Sequence, residues 1–252
     1  MRLLTFYALG AYAFLHVPLV VLAVFSFNSS RFTAWESFSL DWYRKALSDA
    51  QLLESALNSL IIALFASIFA TVIGTLAAYG LWKRGSPWLS GSLYLSLVTP
   101  EIVTGVALLA FYQWLFRYLN LQLGMSTVVL AHVAFSIAYV VIVIMARLRT
   151  MDASLEEAAL DLGANEFTAF RRVTLPLLTP GIISAALLVF TLSFDDFVIT
   201  SLVAGVDSET LPMVIYATAR RGISPVLNAV STLIVIGLGV LIMISERLQK
   251  TS

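Results

Sequence analysis

Three carboxylates stand in stretches of this chain that are otherwise apolar. Asp195 and Asp196 sit side by side in "TLSFDDFVIT", and Glu101 follows Pro100 in "VTPEIVTGV". A lone charge at the centre of a bilayer costs at least about 2.5–3.5 kcal/mol on insertion scales. No lysine or arginine falls inside any apolar stretch, so the missing positive charge has to be a proton, a metal ion or a cationic cargo. Helical spacing sharpens the pattern. Ser193, Asp196 and Thr200 fall on one stripe at i, i+3 and i+7, and Tyr94, Glu101 and Tyr112 lie within about 20° of one line. Carboxylates pair with ammonium groups, and aromatic faces attract cations and cover methylene spacers. The expected substrate-binding set is therefore Glu101, Asp195, Asp196 and Ser193, with Tyr94 and Tyr112. His132 is read as a hydrogen-bonded residue of the helix bundle. No metal site is expected, because the chain has no cysteine and His16 lies in a different apolar stretch.

These residues need helices to hold them at depth. Of 252 residues, 60% are hydrophobic and only 12% charged, where a soluble domain carries about a quarter charged residues. Backbone groups in lipid must bond internally, so the spans are helical. Six are expected: about Leu3–Phe27, Ala56–Trp82, Trp88–Phe116 with an interruption at Pro100, Met125–Ala146, Gly181–Ala204 and Asn228–Ser245. The first is read as a retained span, too long for the apolar core of a signal peptide. With the N-terminus cytoplasmic, nine Lys and Arg residues lie inside and six outside, so both termini are placed in the cytoplasm. On this topology Asp195, Asp196 and Glu101 share a depth near the midplane. The fold class is an all-α polytopic membrane protein forming one domain over 1–252. A net charge of zero suggests no nucleic-acid partner.

The longest inner segment, about 147–180, reads "RLRTMDASLEEAALDLGANEFTAFRRVTLPLLTP". Ser154 and Glu157 have capping-box spacing for a short helix over Leu155–Leu162. Gly163 stands where a left-handed residue ends a helix. Asn165 can cap a second helix running to Val173, with Pro176 as its stop. The small pair Ala158–Ala159 lets that first helix sit closely in a partner's groove.

The stretch "EAALDLGANEFTAFRRVTLP" resembles the EAA motif of binding-protein-dependent ABC importer permeases: Glu157, Ala158, Ala159, Gly163, Val173, Leu175 and Pro176 fall on every motif position. "FNSSRF", "PEIVTGVALL", "AHVAFSIAYV", "TLSFDDFVITS" and "RRGISP" extend the likeness over nearly the whole chain, toward the polyamine (spermidine/putrescine) branch and its second permease type. Val206 and Val226 depart from that branch in the outer loops. The resemblance implies the six-helix type I importer (MetI-like) fold in a bacterial inner membrane. It implies that Glu157, Ala158, Ala159, Gly163 and Pro176 belong to a coupling loop docking on an ATPase dimer. It also implies a homologous second permease, a periplasmic or extracellular polyamine-binding protein, and Trp42 as an aromatic near the entrance.

No G-x-x-x-x-G-K-[ST] loop is present; the glycines Gly80 and Gly85 have its spacing, but Ser86 stands in place of the lysine. ATP and magnesium are therefore expected on the ATPase, and no cofactor in this chain. The same importer class could carry an opine, an aminophosphonate or another amine. A proton-coupled carrier would have no use for a docking loop. An aspartyl protease needs its two aspartates on facing helices, whereas these are neighbours on one.

Overall fold

The computed structural model describes residues 2–32, 34–119, 122–222 and 224–250, most of them helical. In chain order the helices are α1 (Arg2–Phe25), α2 (Asp41–Ser48), α3 (Ala50–Arg84), α4 (Pro87–Val98), α5 (Glu101–Leu119), α6 (Met125–Thr150), α7 (Ser154–Asp161), α8 (Glu166–Ala169), α9 (Leu175–Asp195), α10 (Val198–Val203), α11 (Leu211–Arg221) and α12 (Pro225–Lys250). A π-helical turn, Phe170–Thr174, joins α8 to α9. Five runs are long and apolar enough to cross a bilayer: Leu4–Phe25, Ala50–Arg84, Glu101–Leu119, Met125–Thr150 and Glu166–Asp195. Pro225–Val240 is a shorter apolar helix where the sixth span is expected.

The helices fall into two compact units. One contains α1, α2, the start of α3, α11 and α12 as far as Leu241. Helix α1 is apolar on all sides and exposed along its length, with Phe6, Tyr7 and Phe14 each more than 70% exposed; a helix of this kind is soluble only in lipid or against another subunit. The loop after it folds around the Asn28 side chain. Its amide donates to the Ala34 carbonyl at 2.8 Å, and its oxygen accepts from Glu36 N at 3.0 Å.

The other unit holds α3 from Leu57 through α10, and it contains every intramembrane acid named above. Its main core joins α3, α6 and α9 through Ala66, Ala70, Ala78, Val140, Ile144, Leu148, Leu178, Ala185 and Val189. Ala66, Ala70, Gly74 and Ala78 recur every four residues, and such a small-residue ridge lets membrane helices approach closely. At Gly74 a Cβ would stand 2.6 Å from Val140 Cβ, so only glycine admits α6 there. A second core joins α5, α6 and α10 through Tyr112, Val128, Ala131, Ile199 and Val203.

Two spans are broken. The first break, between α4 and α5, falls at Thr99–Pro100 as expected. Thr99 is extended (φ −67°, ψ 128°), the region to which a following proline confines its neighbour. The second was not expected: the span over Gly181–Ala204 is not one helix. It ends at Asp195, Asp196 is extended (φ −67°, ψ 127°), and α10 starts afresh at Val198. No proline or glycine marks that place.

The segment over 147–180 also differs in two respects. Ser154 makes no capping box; α7 begins at Ser154 itself, and the Asp152 carboxylate accepts from Ser154 N at 3.0 Å. Pro176 does not stop the second helix, because it lies in the first turn of α9, where its missing N–H removes little. The π turn, with Leu175 N bonded to Phe170 O, carries the chain into α9 without a break. The other two expectations hold: Gly163 has φ +90°, and the Asn165 side chain accepts from Thr168 N at 2.8 Å.

Candidate functional site

Both breaks open on one cavity of about 530 Å³. The last turn of α4 (Ser96, Leu97, Val98), the Thr99–Pro100 link, and Glu101 and Thr104 of α5 form one side. Thr191, Leu192 and Asp195 from the end of α9, then Asp196–Ile199, form the other, and Phe135 and Tyr139 of α6 close the back. Glu101, Asp195 and Asp196, from three helix ends, thus share one space. None of the lining residues is lysine or arginine.

Helix ends add to the charge. The C-termini of α4 and α9 carry partial negative charge on their last carbonyls. The opposing positive ends of α5 and α10 are each met by an acid, Glu101 in the first turn of α5 and Asp196, just before α10, accepting from Thr200 N. The balance of the cavity is therefore negative, and broken helices around a site are the way membrane transporters expose such groups.

The three acids differ in their surroundings. Glu101 and Asp195 are exposed to the cavity. The Asp196 side chain is only 7% exposed, and its Oδ2 accepts from both the N–H and the hydroxyl of Thr200, each at 2.7 Å. Behind it lies His132, wholly buried, with Nε2 at 3.4 Å from the same oxygen. Asp196 therefore has a counter-group inside the bundle, which the absence of lysine and arginine had left out of account. Ser193 does not face the cavity; it is buried, with its Oγ 2.6 Å from His132 Nδ1. Close approach of α10 to α5 keeps the walls together. At Gly105 a Cβ would stand 2.6 Å from Leu202 Cδ1 and 3.4 Å from Ile199 Cα.

The expected aromatics lie elsewhere. Tyr94 lines a separate space of about 190 Å³ with Ser90, Met145 and Arg149. Tyr112 is buried in the second core and donates to Thr127 O at 3.1 Å. The break at Pro100 takes Tyr94 off the line through Glu101, whereas Tyr112 shares α5 with Glu101 but lies about three turns further along, inside the second core. Trp42 is also buried, donating Nε1–H to Asn28 O at 2.6 Å under Lys45; it braces the loop after α1. The aromatics at the acids are Phe135 and Tyr139. They stand three and seven residues after His132 on α6, a stripe that "AHVAFSIAYV" displays openly. Tyr139→Ala is expected to raise the KM for transported cargo several-fold, about 3- to 10-fold for a lost ring–cation contact. Tyr94→Ala should leave it unchanged in the same uptake assay.

At the other end of this unit the segment over 147–180 presents Glu157, Ala158 and Gly163 to solvent, with Ala159 half-buried. Around them Leu162 is 90% and Phe167 69% exposed, an apolar surface suited to a partner. Glu156, next to the motif, turns the opposite way. It is buried, and its Oε1 accepts from Tyr79 OH at 2.6 Å and Lys83 Nζ at 2.7 Å, while Oε2 accepts from Thr174 at 2.9 Å. Burial alone would raise this carboxyl, but the hydrogen bonds from Lys83, Tyr79 and Thr174 and the lysine charge outweigh it and hold it below its ordinary value. The end of α3, α7 and the π turn are thereby tied at one point.

Apolar helices broken around an acidic cavity, with a short helical segment exposing apolar side chains at one end, fit a membrane translocation subunit. Residues 70–251 match the family described as binding-protein-dependent transport system inner membrane component, and the chain belongs to that family. It is 40% identical over 243 residues, 95% of its length and 90% of the relative's, to the spermidine/putrescine transport system permease protein PotC of Escherichia coli (strain K12). It is 42% identical over 236 residues, 91% of its length and 84% of the relative's, to the putrescine transport system permease protein PotI of the same strain. Among solved structures it resembles a chain of the bacterial alginate ABC transporter in complex with alginate pentasaccharide-bound periplasmic protein. There the TM-score is 0.77 at 14% identity, covering 99% of this chain and 93% of that one. The fold is thus that of an ABC importer permease, and the chain is a transport subunit, not an enzyme.

Proposed function

We propose that the chain is one permease of an ATP-driven importer that moves polyamines, spermidine or putrescine, across a bacterial inner membrane by alternating access. The observation that carries this reading is the meeting of Glu101, Asp195 and Asp196 on one cavity without lysine or arginine. Such a cavity attracts a cation, and its threonines, Phe135 and Tyr139 suit a cation with a carbon spacer. The names of the two relatives support polyamines over opines or aminophosphonates, whose own anionic groups the acids would repel.

A homologous permease completes the pathway. An external binding protein delivers cargo to the outer loops, and an ATPase dimer, carrying ATP and magnesium, receives the segment from Glu157 to Gly163. Both termini lie in the cytoplasm. The exposed Leu162 and Phe167 support docking there and weigh against a proton-coupled carrier.

The test is uptake of labelled putrescine and spermidine into proteoliposomes holding the complete transporter and its binding protein. Expected is ATP-dependent accumulation, with each polyamine competing for the other and a zwitterionic aminophosphonate competing for neither. Accumulation of the aminophosphonate with indifference to polyamines would overturn the substrate assignment.

A further inference from the structure

His132 is held at both ring nitrogens. Nδ1 lies 2.6 Å from Ser193 Oγ on α9, and Nε2 lies 3.0 Å from Thr200 Oγ1 on α10. The roles on the Nε2 side follow from proton counting. The Thr200 hydroxyl has one proton, which it donates to Asp196 Oδ2 at 2.7 Å. Its oxygen can then only accept from the ring, so Nε2 carries a proton. The result is a chain of donors, His132 to Thr200 to Asp196, reinforced by Thr200 N–H on the same carboxylate oxygen. Every member is largely or wholly buried: His132 and Thr200 at 0% exposure and Ser193 at 3%.

These contacts connect α6 to both sides of the break between α9 and α10. That break has no proline or glycine to impose it, and the residue at its corner is Asp196. The network therefore accounts for a backbone feature the local sequence does not specify, and it satisfies a carboxylate oxygen that would otherwise be open to the cavity. Asp195, one residue earlier, has no such partner in the network and is exposed to the cavity.

We propose that His132 is a positioning residue. Through Thr200 it holds Asp196 and the α9–α10 corner in place, so that Asp195 and Glu101 are the carboxylates that contact the cargo's ammonium groups. This division of roles rests on the polyamine reading above. Asp196 contributes shape and field to the cavity, and His132 determines its orientation without touching cargo.

The test is the kinetics of labelled putrescine uptake by the complete reconstituted transporter. Asp195→Asn removes a direct charge-assisted contact and is expected to raise KM by about 10-fold or more. Asp196→Asn should keep KM within about 3-fold while lowering the maximal rate by about 10-fold or more, because the corner and not the contact is disturbed. His132→Leu should share the Asp196→Asn pattern, and the double variant should be no worse than either single one, as expected for residues acting as one unit. His132→Gln, which can still offer an N–H to Thr200, should recover part of the rate.

Equal rises in KM for Asp195→Asn and Asp196→Asn, or additive losses in the double variant, would overturn the inference. If His132→Leu does not assemble with its partners, the KM comparison of the two aspartate variants decides alone. Failure of the polyamine reading looks different, since the unmodified transporter would then not accumulate putrescine at all.

Discussion

Replacing Glu101 by Gln and Asp195 by Asn together should all but abolish polyamine uptake at physiological concentrations. Each carboxylate supplies a charge-assisted hydrogen bond worth about 1.5–3 kcal/mol. Losing both weakens cargo binding by about 3–6 kcal/mol, on the order of 10²- to 10⁴-fold, since each 1.4 kcal/mol is about tenfold. Both residues face the cavity and neither is in its packed cores. The variant should therefore still assemble with the ATPase and hydrolyse ATP at the basal rate. The measurement is initial uptake rate against putrescine concentration, beside ATPase activity of the same preparation. Unchanged uptake would remove the acids from the transport pathway.

Glu156→Gln should uncouple the transporter. A glutamine can keep one acceptor for Tyr79 or Thr174, but it leaves Lys83 without its ion pair. Lys83 is 37% exposed, so water screens part of the loss, and about 1–3 kcal/mol of local stability is at stake. That is enough to loosen α7 from the end of α3 and from the turn leading into α9, the elements through which movement of a docked ATPase would reach the cavity. Expected are persistent ATP hydrolysis and about a tenfold or greater fall in polyamine uptake, with Lys83→Met giving the same phenotype. The acid dependence has a definite sign. A carboxyl held below its ordinary value contributes stability that is complete above the ordinary glutamate range and lost as pH falls through the lowered value. Thermal unfolding of the unmodified and Glu156→Gln transporters should therefore differ most at neutral pH and converge in acid. Tight coupling in the variant would show that the clamp only decorates the fold.

Much of this architecture is legible in the residues because it is set locally. Apolar length marks the spans, Pro100 confines Thr99 to the extended region where the third span breaks, and Gly163 and Asn165 impose their conformations on their own turns. The convergence of Glu101 with the aspartates is also readable, since charges in apolar segments need a common solution. What was not readable depends on distant partners. The corner at Asp196 is built by residues 61 and 68 positions from His132, so no signal within the span announces it. The stripe through Ser193, Asp196 and Thr200 did mark side chains that converge, though on His132 instead of on open space. Glu156 and Glu157 are consecutive on one helix, about 100° apart, and only the location of Lys83 and Tyr79 decides which faces inward. Tyr94 was aligned with Glu101 by extending one helix through a proline that ends it, and Tyr112, on the same helix as Glu101, is claimed by the core and by the distant carbonyl of Thr127. Trp42 was placed near an entrance by resemblance, which did not reveal that its indole bonds to the backbone of its own loop.

The most direct measurement is a structure of the assembled transporter with putrescine trapped between delivery and release. The expected result is an elongated ligand in the cavity between the two broken helices, its nitrogens about 2.7–2.9 Å from carboxylate oxygens of Glu101 and Asp195, with Asp196 still bonded to Thr200. A ligand bound elsewhere along the pathway, with Glu101 and Asp195 touching only water, would contradict it.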